Sequence, residues 1–244
     1  MRFGQVTFDF RGRRALVVGG SRGIGRGVVE ALVEAGAEVL YGARSAALPE
    51  IAGARHLPME LRDEASILEA FEVASAGGPI DLCVNAAAVN HAHRFEDITA
   101  DEWDDVLAVD LRAAFLVARE AGRRMKERGS GRIVNVSSIA GRHRSPVSGV
   151  HYVSAKAGLI GLTRQLAHEL APHGVTVNVH CPSQTRTEML ATTMSSHQQA
   201  ELEATIPLGR LAEVRDQVGP ILFLCSDASG YMTGAVLDVN GGQL

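Results

Sequence analysis

The sequence predicts an α/β fold: one doubly wound parallel sheet of about seven strands, with helices on both faces. Three observations carry this expectation. Short apolar runs alternate with longer amphipathic ones along the whole chain, and that repeated β–α order closes as a parallel sheet with right-handed crossovers. The 244 residues are 46% hydrophobic yet only 5% aromatic, so the core is filled by Ala, Val, Leu and Gly, whose small side chains let helices lie close on a sheet. No linker, low-complexity tract or fixed-period repeat breaks the pattern, which makes residues 1–244 a single domain.

Taken in order, Arg14–Val18 (RALVV) reads as a buried strand, Ile24–Ala35 as a helix and Glu38–Tyr41 as a second strand. The stretch from Arg44 to Arg55 is short, and Leu48-Pro49 opens at most a turn or two of helix. His56–Met59 is a weak third strand. Asp63–Ser75 is a helix with Asp63 as its N-cap. Ile80–Val84 is the fourth strand. Thr99–Arg128 reads as one long helix, with Thr99 and Glu102 spaced as a capping box. Arg132–Val136 is the fifth strand, His151–Ala171 a helix and Val175–Val179 the sixth strand. Thr187–Glu203 is loop and helix, Ala212–Cys225 a helix and Ala235–Val239 the last strand.

Lys and Arg number 24 against 28 Asp and Glu, a net charge of −4, which argues against nucleic acid or a membrane surface as partner. No apolar run approaches the ~18 residues of a membrane span, and Met1–Gly12 lacks the apolar stretch of a secretory signal. The three cysteines, Cys83, Cys181 and Cys225, are odd in number and widely spaced. The natural compartment is a reducing cytoplasm.

Directly after the first strand stands Gly19-Gly20-Ser21-Arg22-Gly23-Ile24-Gly25, followed by a helix. A pyrophosphate needs backbone N–H groups at a helix N-terminus with no Cβ in the way, and glycines at 19, 23 and 25 meet that need. The turn makes the sheet Rossmann-like. Farther on, Tyr152-Val153-Ser154-Ala155-Lys156 puts Tyr and Lys one turn apart on a helix face, with Ser138 at the end of the fifth strand. An ammonium beside a tyrosine favours its phenolate, so Tyr152 can exchange a proton with an alcohol or carbonyl oxygen. Ser138 would hold that oxygen.

The G-x-x-x-G-x-G spacing together with Ser138, Tyr152 and Lys156 resembles the short-chain dehydrogenase/reductase family, classical type. The resemblance covers nearly the whole chain. It includes Asn85-Ala86-Ala87-Ala88, Pro182-Ser183, Phe223–Ser226 and Thr233-Gly234 through Gly241-Gly242. It implies that Gly19, Ser21, Arg22, Gly23, Ile24 and Gly25 cradle a nicotinamide dinucleotide. Glu60 and Leu61 would flank the adenine, and Asn85, Ala87, Pro182 and Thr187 would line the rest of the cleft, with Thr187 on the nicotinamide carboxamide. Tyr152 and Lys156 would hold the nicotinamide ribose. The end of the second strand carries Ala43-Arg44 in place of the acid that selects NAD. With Arg22, Arg44 would pair with a 2′-phosphate, so the expected cofactor is NADP(H).

Four departures from the family pattern stand out. Asp110 occupies the position of a catalytic Asn that organises water leading from the lysine. An ionised Asp beside Lys156 would raise the lysine pKa and oppose phenolate formation, giving a shifted pH profile. Val18, Ala86 and Ala88 depart together: Val18 and Ala86 replace a polar Thr and Asn, and the set reads as a packing swap. Ser183 replaces a Gly, and the second crossover is trimmed.

The substrate wall is expected from Val89–Phe95, Ile139–Val150 and Glu188–Pro207, the last a lid with Met189, Leu190 and Met194 on its apolar face. Arg142, His143 and Arg144 form a basic cluster that either attracts a phosphopantetheine, CoA or carboxylate group or is simply solvated. Arg123, Arg124, Lys126 and Arg128 suit a helix C-terminus on dipole grounds alone, although acyl-carrier-protein reductases of the family use a basic patch there. His91 and His93 lack a third ligand, so no metal is expected.

The leading expectation is a cytoplasmic NADPH-dependent reductase of a ketone or 3-oxoacyl thioester, with an acyl carrier protein as a partner implied by the resemblance. Family resemblance further implies a homotetramer that pairs the two long helices and the last strand. The rivals are an NAD(P)-dependent alcohol dehydrogenase acting on a steroid or sugar, and a cofactor-binding scaffold whose catalysis has decayed.

Overall fold

The five residues of β3 (Arg14–Val18) alternate between two cores because successive strand side chains point to opposite faces. Ala15 and Val17 pack with α1 (Gly23–Glu34) and α8 (Val214–Cys225). Leu16 and Val18 pack with α2 (Glu64–Ser75), α4 (Ala113–Arg128) and the end of α5 (Val150–Leu170). The structure is a computed structural model, which describes residues 1–47 and 49–244.

The remaining strands are β4 (Glu38–Ala43), β5 (Ala54–Pro58), β6 (Leu82–Asn85), β7 (Gly131–Val136), β8 (Val175–Pro182) and β9 (Val236–Val239). They form a seven-stranded sheet in the order β5-β4-β3-β6-β7-β8-β9, parallel throughout. The expected doubly wound sheet is therefore the observed one, and strand order reverses between β3 and β6. The lid carries α6 (Glu188–Thr193) and α7 (Ser196–Glu203), the latter closed by a capping box at Ser195 and Gln198. A small antiparallel hairpin, β1 (Arg2–Phe3) with β2 (Val6–Thr7), precedes the sheet and was not expected from sequence. Of the turn of helix expected at Leu48-Pro49, Leu48 lies outside the described residues.

Two expectations need correction. Thr99–Arg128 is not one uniform α-helix: α3 (Ala100–Leu107) runs into a π-helical turn, Ala108–Arg112, before α4. The Thr99–Glu102 capping box is only half formed. Thr99 accepts the Glu102 N–H, but the Glu102 side chain is drawn away to two histidines.

The three departures at Val18, Ala86 and Ala88 do read as packing. Val18 is fully buried in the core, and the Ala86 N–H donates to the Val18 carbonyl at 2.9 Å, so backbone alone ties the two turns. Cys83, Cys181 and Cys225 are all buried free thiols. Among the described residues no helix is long and apolar enough to cross a membrane.

β8 also buries a histidine. His180 is fully buried, its Nε2 donates to Gln217 Oε1 at 2.8 Å, and its Nδ1 has no partner among the described residues. Burial holds the imidazole at about 4, below its ordinary 6.5. The unfolded chain therefore takes up this proton near pH 6.5 while the folded chain does not until about pH 4. Stability falls as pH drops through that window, by about 3 kcal/mol from this group. Urea unfolding of His180→Gln should show a correspondingly flatter acid limb than the wild type; parallel limbs would refute the assignment.

Candidate active site

The crevice opens where β3 and β6 send their chains to opposite faces of the sheet. Its floor is the glycine turn. Gly19 has φ +79°, and a Cβ there would sit 2.6 Å from Ala87 N and Cα. A Cβ on Gly25 would sit 2.2 Å from the Gly19 carbonyl. Both positions therefore exclude any side chain, and the backbone is bare at the N-terminus of α1.

A cavity of about 430 Å³ runs from this turn across the sheet edge. Gly19, Ser21, Arg22, Gly23, Ile24 and Gly25 line one end, with Arg44, Glu60 and Leu61 beside them. Ala87, Pro182 and Thr187 line the middle, and Tyr152 and Lys156 the other end. Three predicted residues stand off the wall. Asn85 is buried one step behind it, and Ala86 and Ala87 present their surface instead. Ser138 and Asp110 reach the site through Tyr152 and Lys156.

The arginines answer the cofactor question. Among the described residues, neither the Arg22 nor the Arg44 guanidinium has a hydrogen-bond or ion-pair partner, although both face the cavity. Arg44 is placed by the trimmed crossover, in which the Ala47 N–H donates to the Tyr41 hydroxyl at 3.1 Å. Sequence reasoning missed a third guanidinium here. Arg62 also lines the cavity, but Asp105 holds it at 2.5 and 2.8 Å. The bare glycine cradle and two unpaired cations fit the pyrophosphate and 2′-phosphate of NADP(H).

At the other end, α5 is clamped to β7. The Ser137 hydroxyl donates to the Lys156 carbonyl at 2.7 Å, and a Cβ at Gly141 would meet that carbonyl at 2.6 Å. The clamp sets the Tyr152–Lys156 face toward the cavity. Lys156 Nζ lies 5.4 Å from the Tyr152 ring centroid, and Ser138 stands near enough to the Tyr152 phenol to favour its phenolate. Ser138 Oγ also accepts the Ala140 N–H at 3.0 Å, which fixes its rotamer.

Behind Lys156 stands Asp110. The π-helical turn widens the helix by one residue per hydrogen bond and swings this carboxylate inward. Oδ2 lies 3.2 Å from Lys156 Nζ, and Oδ1 accepts the Val89 N–H at 2.8 Å. Both side chains are almost wholly buried. Burial pushes the Asp110 carboxyl up, against the opposing pull of Lys156 and the Val89 N–H. Burial pulls Lys156 down, but Asp110 and Tyr152 outweigh it and the ammonium is held above its ordinary range. Burial also pushes the Tyr152 phenol up, with Lys156 opposing and Asp110 reinforcing.

Leu190 and Met194 of the lid pack with Ile206 and Leu211 against Val147. The basic clusters are largely spent on other partners. Arg142 makes a two-bond pair with Asp238 at 3.0 and 3.1 Å. Arg123 and Arg124 turn onto buried Glu120, and Arg128 onto Asp81. Among the described residues no group of three or more His, Cys, Asp or Glu side chains is arranged to hold a metal ion.

Comparison with known proteins places this geometry. A family profile described as enoyl-(acyl carrier protein) reductase matches residues 18–243. The chain is 39% identical to the 3-oxoacyl-(acyl-carrier-protein) reductase FabG of Aquifex aeolicus, over 98% of this chain and 100% of that protein. It is 35% identical to the acetoacetyl-CoA reductase of Rhizobium meliloti, over 95% and 98% of the two chains. A crystal structure of a putative NAD(P)-dependent gluconate 5-dehydrogenase from Beutenbergia cavernae, with bound NADP, superposes with a TM-score of 0.92 at 35% identity, over 98% and 99% of the chains. A glycine cradle facing two unpaired arginines, a Ser–Tyr–Lys cluster at the far end, and full-length relatives of this kind lead to one conclusion: the chain belongs to the short-chain dehydrogenase/reductase family, as an NADP(H)-linked oxidoreductase working between a carbonyl and a secondary alcohol.

Proposed function

We propose that the chain reduces a 3-oxoacyl thioester to the 3-hydroxyacyl thioester. The observation that carries the reading is the Tyr152 side chain at the inner end of the cavity, with the Lys156 ammonium 5.4 Å from its ring and Ser138 near its phenol. NADPH, when bound, supplies a hydride to the carbonyl carbon. Ser138 donates a hydrogen bond to the carbonyl oxygen and holds it at Tyr152. The Tyr152 phenol gives that oxygen its proton, completing the CH–OH, and Lys156 stabilises the phenolate left behind. Gly19, Ser21, Gly23, Ile24 and Gly25 bind the pyrophosphate end, Arg22 and Arg44 the 2′-phosphate, and Glu60, Leu61, Ala87, Pro182 and Thr187 the rest of the cofactor.

A relative named for acetoacetyl-CoA and others named for acyl-carrier-protein thioesters support a thioester substrate. Arg123, Arg124, Arg128 and Arg142 are paired within this protein, which leaves Lys126 and Arg144 of the two clusters for a carrier protein, with the acyl group and pantetheine supplying the rest of the recognition. The open edge of β9, together with partly exposed Phe115 on α4 and Val150 on α5, supports a homotetramer. The buried free thiols support the cytoplasm.

Loss of NADPH absorbance with acetoacetyl-CoA, its carrier-protein counterpart and a panel of simple ketones tests the assignment. Turnover of the thioesters well above the ketones is expected. NADPH binding without turnover in either direction and at any pH would instead identify a decayed scaffold. Asp110 supplies a second measurement. Because its carboxylate holds both Lys156 and Tyr152 upward, Asp110→Asn lowers the pH at which Tyr152 loses its proton. The alkaline limb of the reduction profile, and the rising limb of alcohol oxidation, should both move to lower pH. Superimposable profiles would rule the role out.

A further inference from the structure

Glu102, displaced from its capping role, sits between two histidines that come from different parts of the chain. His151 is fully buried beside Tyr152; its Nδ1 accepts the Tyr152 N–H at 2.7 Å, so its Nε2 carries the proton and donates to Glu102 Oε1 at 2.8 Å. From the other side, His93 Nδ1 donates to both Glu102 oxygens at 2.9 and 3.0 Å. The His91 ring stacks on His93 at 6.1 Å and meets His151 edge-on at 6.2 Å. These hydrogen bonds from His151 and His93 keep the Glu102 carboxyl below its usual range, so it is ionised and accepts from both.

The same stretch of chain is tied at every second residue. The Val89 N–H donates to Asp110 at 2.8 Å, the His91 carbonyl accepts the Gly149 N–H at 2.9 Å, and His93 reaches Glu102. Gly149 makes the middle tie possible, because a Cβ there would lie 2.5 Å from the His151 ring and 3.0 Å from the His91 carbonyl. Together the three ties pin residues 89–93 to the π-helical turn at Asp110, to the start of α5 at Gly149 and to α3 at Glu102. Val89 borders the cavity in front of Tyr152.

We propose that His93, Glu102 and His151 form a positioning strap that seats residues 89–93 as the substrate-facing wall and couples that wall to the first turn of α5 at Tyr152. The inference rests on the reductase reading and adds specificity-determining residues to it. None of the three touches the reacting atoms. Their effect falls on how well the acyl chain fits between this wall and the lid. A strap of this kind governs substrate affinity more than the chemical step, because Ser138, Lys156 and the clamp on α5 are anchored independently of it.

Steady-state kinetics with NADPH and acetoacetyl-CoA on the full chain tests the strap. In His93→Ala, KM for the thioester should rise about threefold to fivefold, the scale of one partly exposed charged contact, with kcat and the KM for NADPH within about twofold of wild type. His93→Gln retains a donor at the same place and should restore KM to within about twofold. Glu102→Ala, which leaves the backbone cap at Thr99 intact, should raise KM at least as far. An active wild type whose thioester KM is unmoved in His93→Ala overturns the strap and leaves the reductase reading standing. So does a parallel rise in the KM for NADPH, or failure of His93→Gln to restore. A wild type that oxidises NADPH with no carbonyl overturns both.

Discussion

Replacing Tyr152 by phenylalanine is expected to lower kcat for thioester reduction by about a thousandfold, within the range a positioned general acid supplies. Among the described residues, the phenol is the one group at the cavity wall able both to donate a proton to the nascent alkoxide and to be stabilised afterwards by an ammonium. Phenylalanine keeps the ring in its packing with Val106 and Ala140, so the fold and the cofactor cleft should persist. Thermal unfolding within about 2 °C of wild type and NADPH affinity within about threefold would place the loss in the chemical step. A variant with more than a tenth of the wild-type kcat would remove Tyr152 from the proton-transfer role. Ser138 could not replace it, since a serine hydroxyl has no neighbouring cation to stabilise its conjugate base.

The second large effect lies at the far end of the cavity. Arg22 and Arg44 face it without partners among the described residues, whereas Arg62 beside them is held by Asp105. An unpaired guanidinium waits for an anion; a paired one must first break its bond. The double variant Arg22→Ala, Arg44→Asp removes two charge-assisted contacts worth about 2 kcal/mol each. It should therefore lower kcat/KM for NADPH by about a thousandfold. NADH should lose far less, because it lacks the 2′-phosphate and the new carboxylate can accept its ribose hydroxyl. Equal losses with both cofactors would show that the arginines serve the loop and not the phosphate.

Much of this site is legible in the one-dimensional order of residues. The glycine turn, the strand before it and the helix after it are local events. So are the i, i+4 spacing of Tyr152 and Lys156 and the N-cap at Asp63, whose carboxylate accepts the Ala65 N–H at 2.9 Å. The absence of an acid after β4 is likewise read directly from Ala43-Arg44. The apolar swap at Val18 and Ala86 is visible only through the family resemblance, which implies polar residues at both positions.

The misreadings share a different character. Glu102 has the spacing of a capping box, yet its side chain goes to His93 and to His151, 49 residues away. Arg142 looks free in its own loop, but Asp238, 96 residues away, occupies it. Asn85 and Ala86 differ by one position, and the end of β6 decides which of them meets the cavity. Asp110 is visible in sequence as an exception, but only the π-helical turn aims it at Lys156.

The sequence by itself therefore determined the parallel sheet and the glycine turn, and it named the candidate reacting groups. All of these depend on backbone geometry between near neighbours, where spacing is the cause of structure. The partners of each charged side chain were settled only by the folded molecule. Which carboxylate meets which cation depends on crossovers that bring distant segments within a few ångströms. In a buried site that choice carries a large desolvation penalty when a charge is left alone. The Asp110–Lys156 pair, the two unpaired arginines and the His93–Glu102–His151 strap are outcomes of that choice.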